Sequence, residues 1–283
     1  MNLPPCAFTV DVEDYFQVDA FSDVIPVSTW SDYEPRVVAN TSRLLDLLDE
    51  HQVRGTFFVL GWIAERHADL VRNIAGRGHE VASHGMSHQR VVTQSPELFR
   101  RETRDSKRLL EDLIQAPVVG YRAATYSITV QSLWALDILH EEGFLYDSSI
   151  FPVRHDRYGI PDAKTAPHRL ETPGGKAIVE YPLTAARIFG VNIPVAGGGY
   201  FRLLPYGLTR RGLRRVQAEG RAVAFYLHPW EVDPGQPRIR GARWRSRFRH
   251  YLNLDRTLPR LNRLLRDFQF STMRDCLSAL DLL

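Results

Sequence analysis

The chain has 283 residues, 44% of them hydrophobic and 24% charged, with a formal net charge of +3. These fractions are ordinary for a globular protein and argue against disorder. No apolar run approaches the roughly 18 residues needed to cross a bilayer, and Met1–Val12 lacks a basic segment followed by a long apolar one. No signal peptide is therefore expected, and the expected location is the cytoplasm.

In chain order, Ala7–Val12 is predicted as a strand, followed by a helix over Val37–His51 whose Leu44, Leu45, Leu47 and Leu48 form an apolar face. Thr56–Leu60 is a strand, Ile63–Arg77 a helix, and His79–Ala82 a short strand reached through Gly76 and Gly78. Glu97–Ile114 is a helix that starts after Ser95-Pro96, a cap followed by a first-turn proline. Val118–Tyr121 is a strand, and Val130–Glu142 is a helix stopped by Gly143. Further strands are predicted at Phe144–Tyr146, Ala177–Tyr181, Val223–Leu227 and Phe268–Phe270, with a last helix ending near Leu282. Strand-helix alternation with short connections implies a mostly parallel sheet with helices outside, and the count suits a barrel. Pro152–Thr209 breaks the pattern. Rich in Pro and Gly, and containing Gly197-Gly198-Gly199, it reads as long loops over one face. No domain boundary is visible.

Cys6 and Cys276 stand near opposite ends, with no CxxC pair. They suggest reduced, partly buried thiols rather than a disulfide framework or a cysteine metal site. Charge is unevenly spread. Arg238–Arg274 holds eleven Arg against Asp255 and Asp267, so this segment carries +9 and the remainder −6. Such a patch can attract an anionic polymer or a membrane surface, and the competing reading is a solvated arginine-rich helical surface.

Four segments carry chemistry. In Ser83-His84-Gly85-Met86-Ser87-His88, two histidines four apart follow a predicted strand, at the end where parallel α/β folds build their sites. In Asp11-Val12-Glu13-Asp14, three carboxylates crowd the end of the first strand, which a divalent cation or an arginine would compensate. Two imidazoles and one carboxylate make a recurring catalytic zinc set, and a second carboxylate can serve as general base. Arg122, in Gly120-Tyr121-Arg122, sits at a further strand end, where it can pair with the base. His228, leaving a strand into Pro229-Trp230, is placed to act as a general acid. Each segment taken alone has an ordinary alternative, such as a surface loop or a structural histidine.

Taken in this order, the segments resemble the polysaccharide deacetylase family (carbohydrate esterase family four), which includes chitin-oligosaccharide and peptidoglycan deacetylases. The resemblance runs from about Phe8 to Pro229. It implies a distorted (β/α) barrel, an N-acetylated polysaccharide substrate and a divalent metal, with zinc the expected ion. It also implies that Asp11 is the base, that His84 and His88 are metal ligands, that Arg122 braces the base, and that His228 protonates the leaving amine. Asp147, in Tyr146-Asp147-Ser148-Ser149, resembles the aspartate that tunes this histidine. Many members have Asp-Asp-Gly in the first motif where this chain has Asp-Val-Glu-Asp, so the metal carboxylate is Glu13 or Asp14. Strand parity with Asp11 favours Glu13.

Asp11–Val18, Tyr158-Gly159-Ile160-Pro161 and His228-Pro229-Trp230-Glu231 resemble the subgroup associated with exosortase-type exopolysaccharide gene clusters. That subgroup carries an extra C-terminal region, here about residues 231–283 of a single catalytic domain spanning 1–283. The expected partners are then an N-acetylated polysaccharide and, through residues 238–274, an anionic polymer or the inner membrane surface. No nucleic acid is expected. The same resemblance leaves open hydrolysis of a small cyclic amide or an O-acetyl ester, and a non-catalytic carbohydrate-binding or scaffold role. The intact His84, His88, Arg122 and His228 argue against the last. Trp62, Tyr126, Tyr200 and Trp230 are candidates for stacking on sugar rings and are assigned no role.

Overall fold

The computed structural model describes residues 3–155 and 157–283. Met1 and Asn2, the start of the segment read for a signal peptide, lie outside the described residues. The elements run β1 (Cys6–Val12), α1 (Val37–Glu50), β2 (Thr56–Val59), α2 (Gly61–Arg66), α3 (Ala68–Gly76), β3 (Glu80–Ser83), α4 (Pro96–Ile114), β4 (Gly120–Tyr121), α5 (Trp134–Glu141) and β5 (Tyr146–Asp147). They continue with β6 (His168–Glu171), β7 (Ala177–Glu180), β8 (Ala185–Ile188), β9 (Val191–Pro194), α6 (Gly198–Leu203), α7 (Tyr206–Ala218), β10 (Val223–Leu227), α8 (Trp244–Tyr251), α9 (Thr257–Asp267), β11 (Phe270–Ser271) and α10 (Met273–Ser278).

β1 is buried along its whole length. A strand covered on both faces is mostly apolar and has parallel neighbours. β1 has both, with Thr9 and Asp11 as its polar exceptions. It runs parallel to β10 in the register Cys6↔Val223 to Val10↔Leu227, and to β2 from Thr9↔Thr56 to Val12↔Val59. The order is β10-β1-β2-β3-β4-β5-β7-β6, with only β6 antiparallel, and β11 adds to β1 at Cys6 and Ala7. β10 and the chain leaving β7 approach each other. The Tyr181 hydroxyl, just past β7, donates to the Val223 carbonyl (3.0 Å), and the Ala224 N–H donates to Thr184 Oγ1 (2.7 Å). Side chains thus bridge the gap where no ladder forms, and the sheet curls into a barrel-like wall.

The helices follow the expected pattern with two revisions. α4 starts as the sequence implies: Ser95 Oγ accepts the Leu98 N–H at 3.2 Å, and Pro96 fills the first helical position. The predicted helix over Ile63–Arg77 is instead two helices, broken at His67 (φ −132°, ψ 51°). Pro152–Thr209 is not all loop. It contains β6, the β8–β9 hairpin, α6 and the start of α7. Its glycine triplet has a steric cause. A Cβ on Gly197 would sit 1.9 Å from the Tyr226 carbonyl oxygen, and Gly197 holds φ 124° to let β10 pass. Cys6 and Cys276 are both buried free thiols.

Because the strands are parallel, their C-terminal ends share one rim. That rim carries Asp11, His84, Arg122, Asp147 and His228, each at or just beyond the end of its strand.

Candidate active site

Asp11 and Arg122 form the innermost part of the site, both buried. Arg122 Nη1 donates to Asp11 Oδ1 (2.6 Å) and Thr9 Oγ1 (2.8 Å), while Nε and Nη2 donate to the Ser148 carbonyl and hydroxyl. The guanidinium also lies over the Phe58 ring at 4.0 Å. The Tyr126 hydroxyl donates to Asp11 Oδ2 at 3.1 Å, so both carboxylate oxygens are held. Burial opposes the charge on Asp11, but Arg122, His84 and His228 outweigh it and hold the carboxyl below its ordinary range. From sequence, Tyr126 is only a candidate for stacking on sugar rings. Its contact depends on Thr125 and Tyr126 both taking positive φ (55° and 52°), which residue type alone does not foretell.

The second layer holds ligand-type atoms. One ligand atom each from Glu13, His84 and His88 lies within 4.8 Å of the others. His84 is fixed through Nδ1, 2.8 Å from the Arg122 carbonyl, which leaves Nε2 for the cluster. Its ring is pushed down to about 4 by burial and is therefore neutral at neutral pH. His88 takes φ 53°, a conformation disfavoured for a non-glycine, and this turn brings it back beside His84 with ring centres 5.3 Å apart. Burial opposes protonation of His88, but the adjacent Glu13 carboxylate raises its pKa overall. Glu13 Oε2 approaches His88 Nε2 at 2.6 Å yet has no partner in hydrogen-bond geometry.

Asp14, the alternative metal carboxylate, is not in this cluster. Its Oδ2 accepts the N–H groups of Arg36 (2.6 Å) and Val37 (2.9 Å), and Oδ1 accepts that of Tyr15 (2.9 Å). It anchors the start of α1, whose unpaired N–H groups attract a carboxylate. β1 ends at Val12, and Glu13 belongs to the following turn, with its N–H bonded to the Asp11 carbonyl. Glu13 faces the same side as Asp11 even though strand parity no longer formally applies there.

His228 closes the site. Its Nε2 lies 3.5 Å from Glu13 Oε1 and 3.9 Å from Asp11 Oδ2. Burial lowers its basicity, but Glu13, Glu231 and Asp11 reverse that and push the ring up to about 9. Among the described residues, the carboxylate on its Nδ1 is that of Glu231 at 2.8 Å, not Asp147 as expected from the resemblance. Asp147 is buried elsewhere, accepting from the Ser149 hydroxyl (2.5 Å) and backbone N–H (3.2 Å) beside Glu180. Glu231 reaches His228 because it is the N3 residue of a short 3₁₀ turn capped by His228, whose backbone N–H it also accepts at 3.0 Å. The spacing His-Pro-x-Glu carried that signal.

The polysaccharide deacetylase family model matches residues 26–140. A domain of unknown function (DUF3473) matches residues 148–278, beginning well before the C-terminal region drawn from the sequence. The chain is 34% identical over 148 residues to a chitooligosaccharide deacetylase of Rhizobium leguminosarum bv. trifolii, covering 52% of this chain and 60% of the relative. It is 30% identical over 79 residues to a peptidoglycan-N-acetylglucosamine deacetylase of Bacillus cereus, covering 28% of this chain and 37% of that one. The chain therefore spans less than two thirds of the length of these curated relatives. A crystal structure from Mycobacterium smegmatis, assigned as a polysaccharide deacetylase, superposes with a TM-score of 0.62 at 23% identity, over 99% of this chain and 95% of that one. The fold is thus the distorted (β/α) barrel of that type. Residues 26–140 thus match the polysaccharide deacetylase family model, and residues 148–278 match a domain typical of exosortase-associated deacetylases.

Proposed function

We propose that the chain is a metal-dependent hydrolase that removes N-acetyl groups from an amino-sugar polysaccharide. The observation that carries this reading is one cleft holding three things: the Glu13–His84–His88 cluster, the braced carboxylate of Asp11, and His228 with its raised pKa. The residues fit a cation. Glu13 Oε2 is buried with no partner in hydrogen-bond geometry, and His84 offers a neutral ring nitrogen. Two imidazoles and a carboxylate suit zinc. A divalent ion held there supplies Lewis acidity for the acetamide carbonyl and for the attacking water. Asp11, kept ionised and held at both oxygens, takes the water proton. His228 delivers a proton to the departing nitrogen. The balance is one water consumed, with acetate and a free amino sugar released.

Two depressions of about 320 and 480 Å³ adjoin at Val18, Asp19 and His88. A groove of that extent supports a chain-like substrate over a small cyclic amide. The subgroup resemblance points to an exopolysaccharide. We further propose that 1–283 acts as one catalytic unit that meets an anionic polymer or the inner membrane surface through the basic segment. α8 supports this, because Trp244 and Phe248 are 72% and 57% exposed among Arg243, Arg245, Arg247 and Arg249. No helix among the described residues is long and apolar enough to cross a membrane.

The test is acetate release from N-acetylglucosamine oligomers before chelation, after chelation, and after zinc is returned. Loss and recovery are expected. Activity indifferent to chelation would remove the metal from the account, and oligomer binding without acetate release would leave only a carbohydrate-binding role.

A further inference from the structure

The histidine proposed as proton donor is linked to the C-terminal part of the chain through two buried side chains. Glu231 holds His228 at ring and backbone with Oε1, at 2.8 and 3.0 Å. Its other oxygen, Oε2, accepts Arg202 Nε at 2.6 Å, and both residues are buried. Arg202 lies on α6, and its Nη1 points at the carbonyl end of α8, donating to Arg249 (3.0 Å), His250 (2.8 Å) and Leu252 (2.9 Å). Carbonyls at a helix end lack intrahelical donors and carry partial negative charge, so a guanidinium is matched to them.

The backbone of Arg202 is gripped as well. Asn253 Nδ2 donates to its carbonyl at 2.8 Å, and Arg260 of α9 donates to the same carbonyl at 2.9 Å and to that of Phe201 at 2.7 Å. Trp230, stacked on His228, is backed by His250 of α8 at 4.1 Å between ring centres, and Gln236 ties that histidine to the Trp230 carbonyl. The segment that the family's catalytic motifs do not use is therefore packed against the back of His228.

A carboxylate bonded at only one oxygen can swing and carry the imidazole with it. Bonded at both, it fixes the ring plane and keeps the Nδ1 hydrogen in place, so that Nε2 faces the cleft. We propose that Glu231 and Arg202 are positioning residues for His228, and that the segment bearing α8 and α9 serves the site by fixing Arg202. This rests on His228 acting as proton donor in the deacetylation proposed above.

A proton donor matters for an amine leaving group and little for a phenolate, which separates positioning from general support of the fold. The experiment compares kcat and KM on an N-acetylglucosamine oligomer with hydrolysis of 4-nitrophenyl acetate, for wild type, Arg202→Met, Glu231→Gln and Glu231→Asp. Metal content is measured on each. Arg202→Met and Glu231→Gln are expected to lower kcat on the oligomer by about 30-fold or more, with KM within about twofold and the aryl ester rate within about threefold. Glu231→Asp is expected to recover part of the loss. Should Arg202→Met fail to fold, the double variant Arg202→Met/Glu231→Gln, which buries no lone charge, takes its place with the same expectation. Equal losses on both substrates, a change confined to KM, or no loss overturns the proposal. A wild type that releases no acetate from the oligomer overturns the deacetylase reading, and the proposal with it.

Discussion

Arg122 and Asp11 meet at 2.6 Å in a site from which both side chains are shut off from solvent. Breaking such a pair leaves a buried charge alone. Arg122→Met is therefore expected to cost about 3–5 kcal/mol of stability, measured by chemical denaturation, and to slow turnover with it. Loss of activity at unchanged stability would mean that Asp11 finds another partner.

Asp11→Asn is expected to keep its metal and to lose about 100-fold or more in kcat, the range for removal of a general base. His228→Ala is expected to do the same. Metal analysis beside acetate release reads both. A variant that loses its metal has been assigned the wrong role.

Glu13 and Asp14 are neighbours with separate work. Glu13→Ala is expected to abolish metal binding. Asp14→Ala is expected to keep the metal and to lose about 0.5–2 kcal/mol, because the N–H groups of Arg36 and Val37 at the start of α1, and that of Tyr15, lose their acceptor. Metal loss in Asp14→Ala alone would reverse the assignment.

Asp147 and Glu180 share a buried site away from His228, and burial raises both carboxyls above their ordinary range. A raised acid keeps its proton in the folded chain when the unfolded chain has released it. Stability from this pair is thus full below about pH 4, the unfolded value, and falls as pH rises through the folded values. Asp147→Asn is expected to flatten that fall in denaturation midpoints measured from pH 4 to 8. An unchanged slope would contradict it.

Replacing Arg243, Arg245, Arg247 and Arg249 with Gln is expected to weaken binding to anionic vesicles, and the wild-type binding should fade as salt shortens the Debye length from about 10 Å at 0.1 M to about 3 Å at 1 M. Unchanged binding together with reduced stability would make the arginines structural.

Much of this was legible in the sequence where one residue type has one physical use. β1 and the capped start of α4 stand where the sequence puts them, and Asp11, His84, Arg122 and His228 follow in order at strand ends. What escaped depended on geometry that residue types do not encode. Asp14 differs from Glu13 by one position, yet a turn sends it to α1. Glu231 stands three residues after His228, the spacing of a cap partner, but the resemblance pointed to Asp147. Pro152–Thr209 read as loop because β6, β8 and β9 are four residues each, too short for a period to stand out, and depend on neighbours for their form.

The central claim is that Glu13, His84 and His88 hold a divalent ion on which acetate release depends. Its most direct test is metal stoichiometry by elemental analysis on wild type and on His84→Ala/His88→Ala, with acetate release assayed on the same samples. One ion per wild-type chain is expected, and loss of both metal and activity in the variant. Full metal content or undiminished acetate release in the variant would contradict the account.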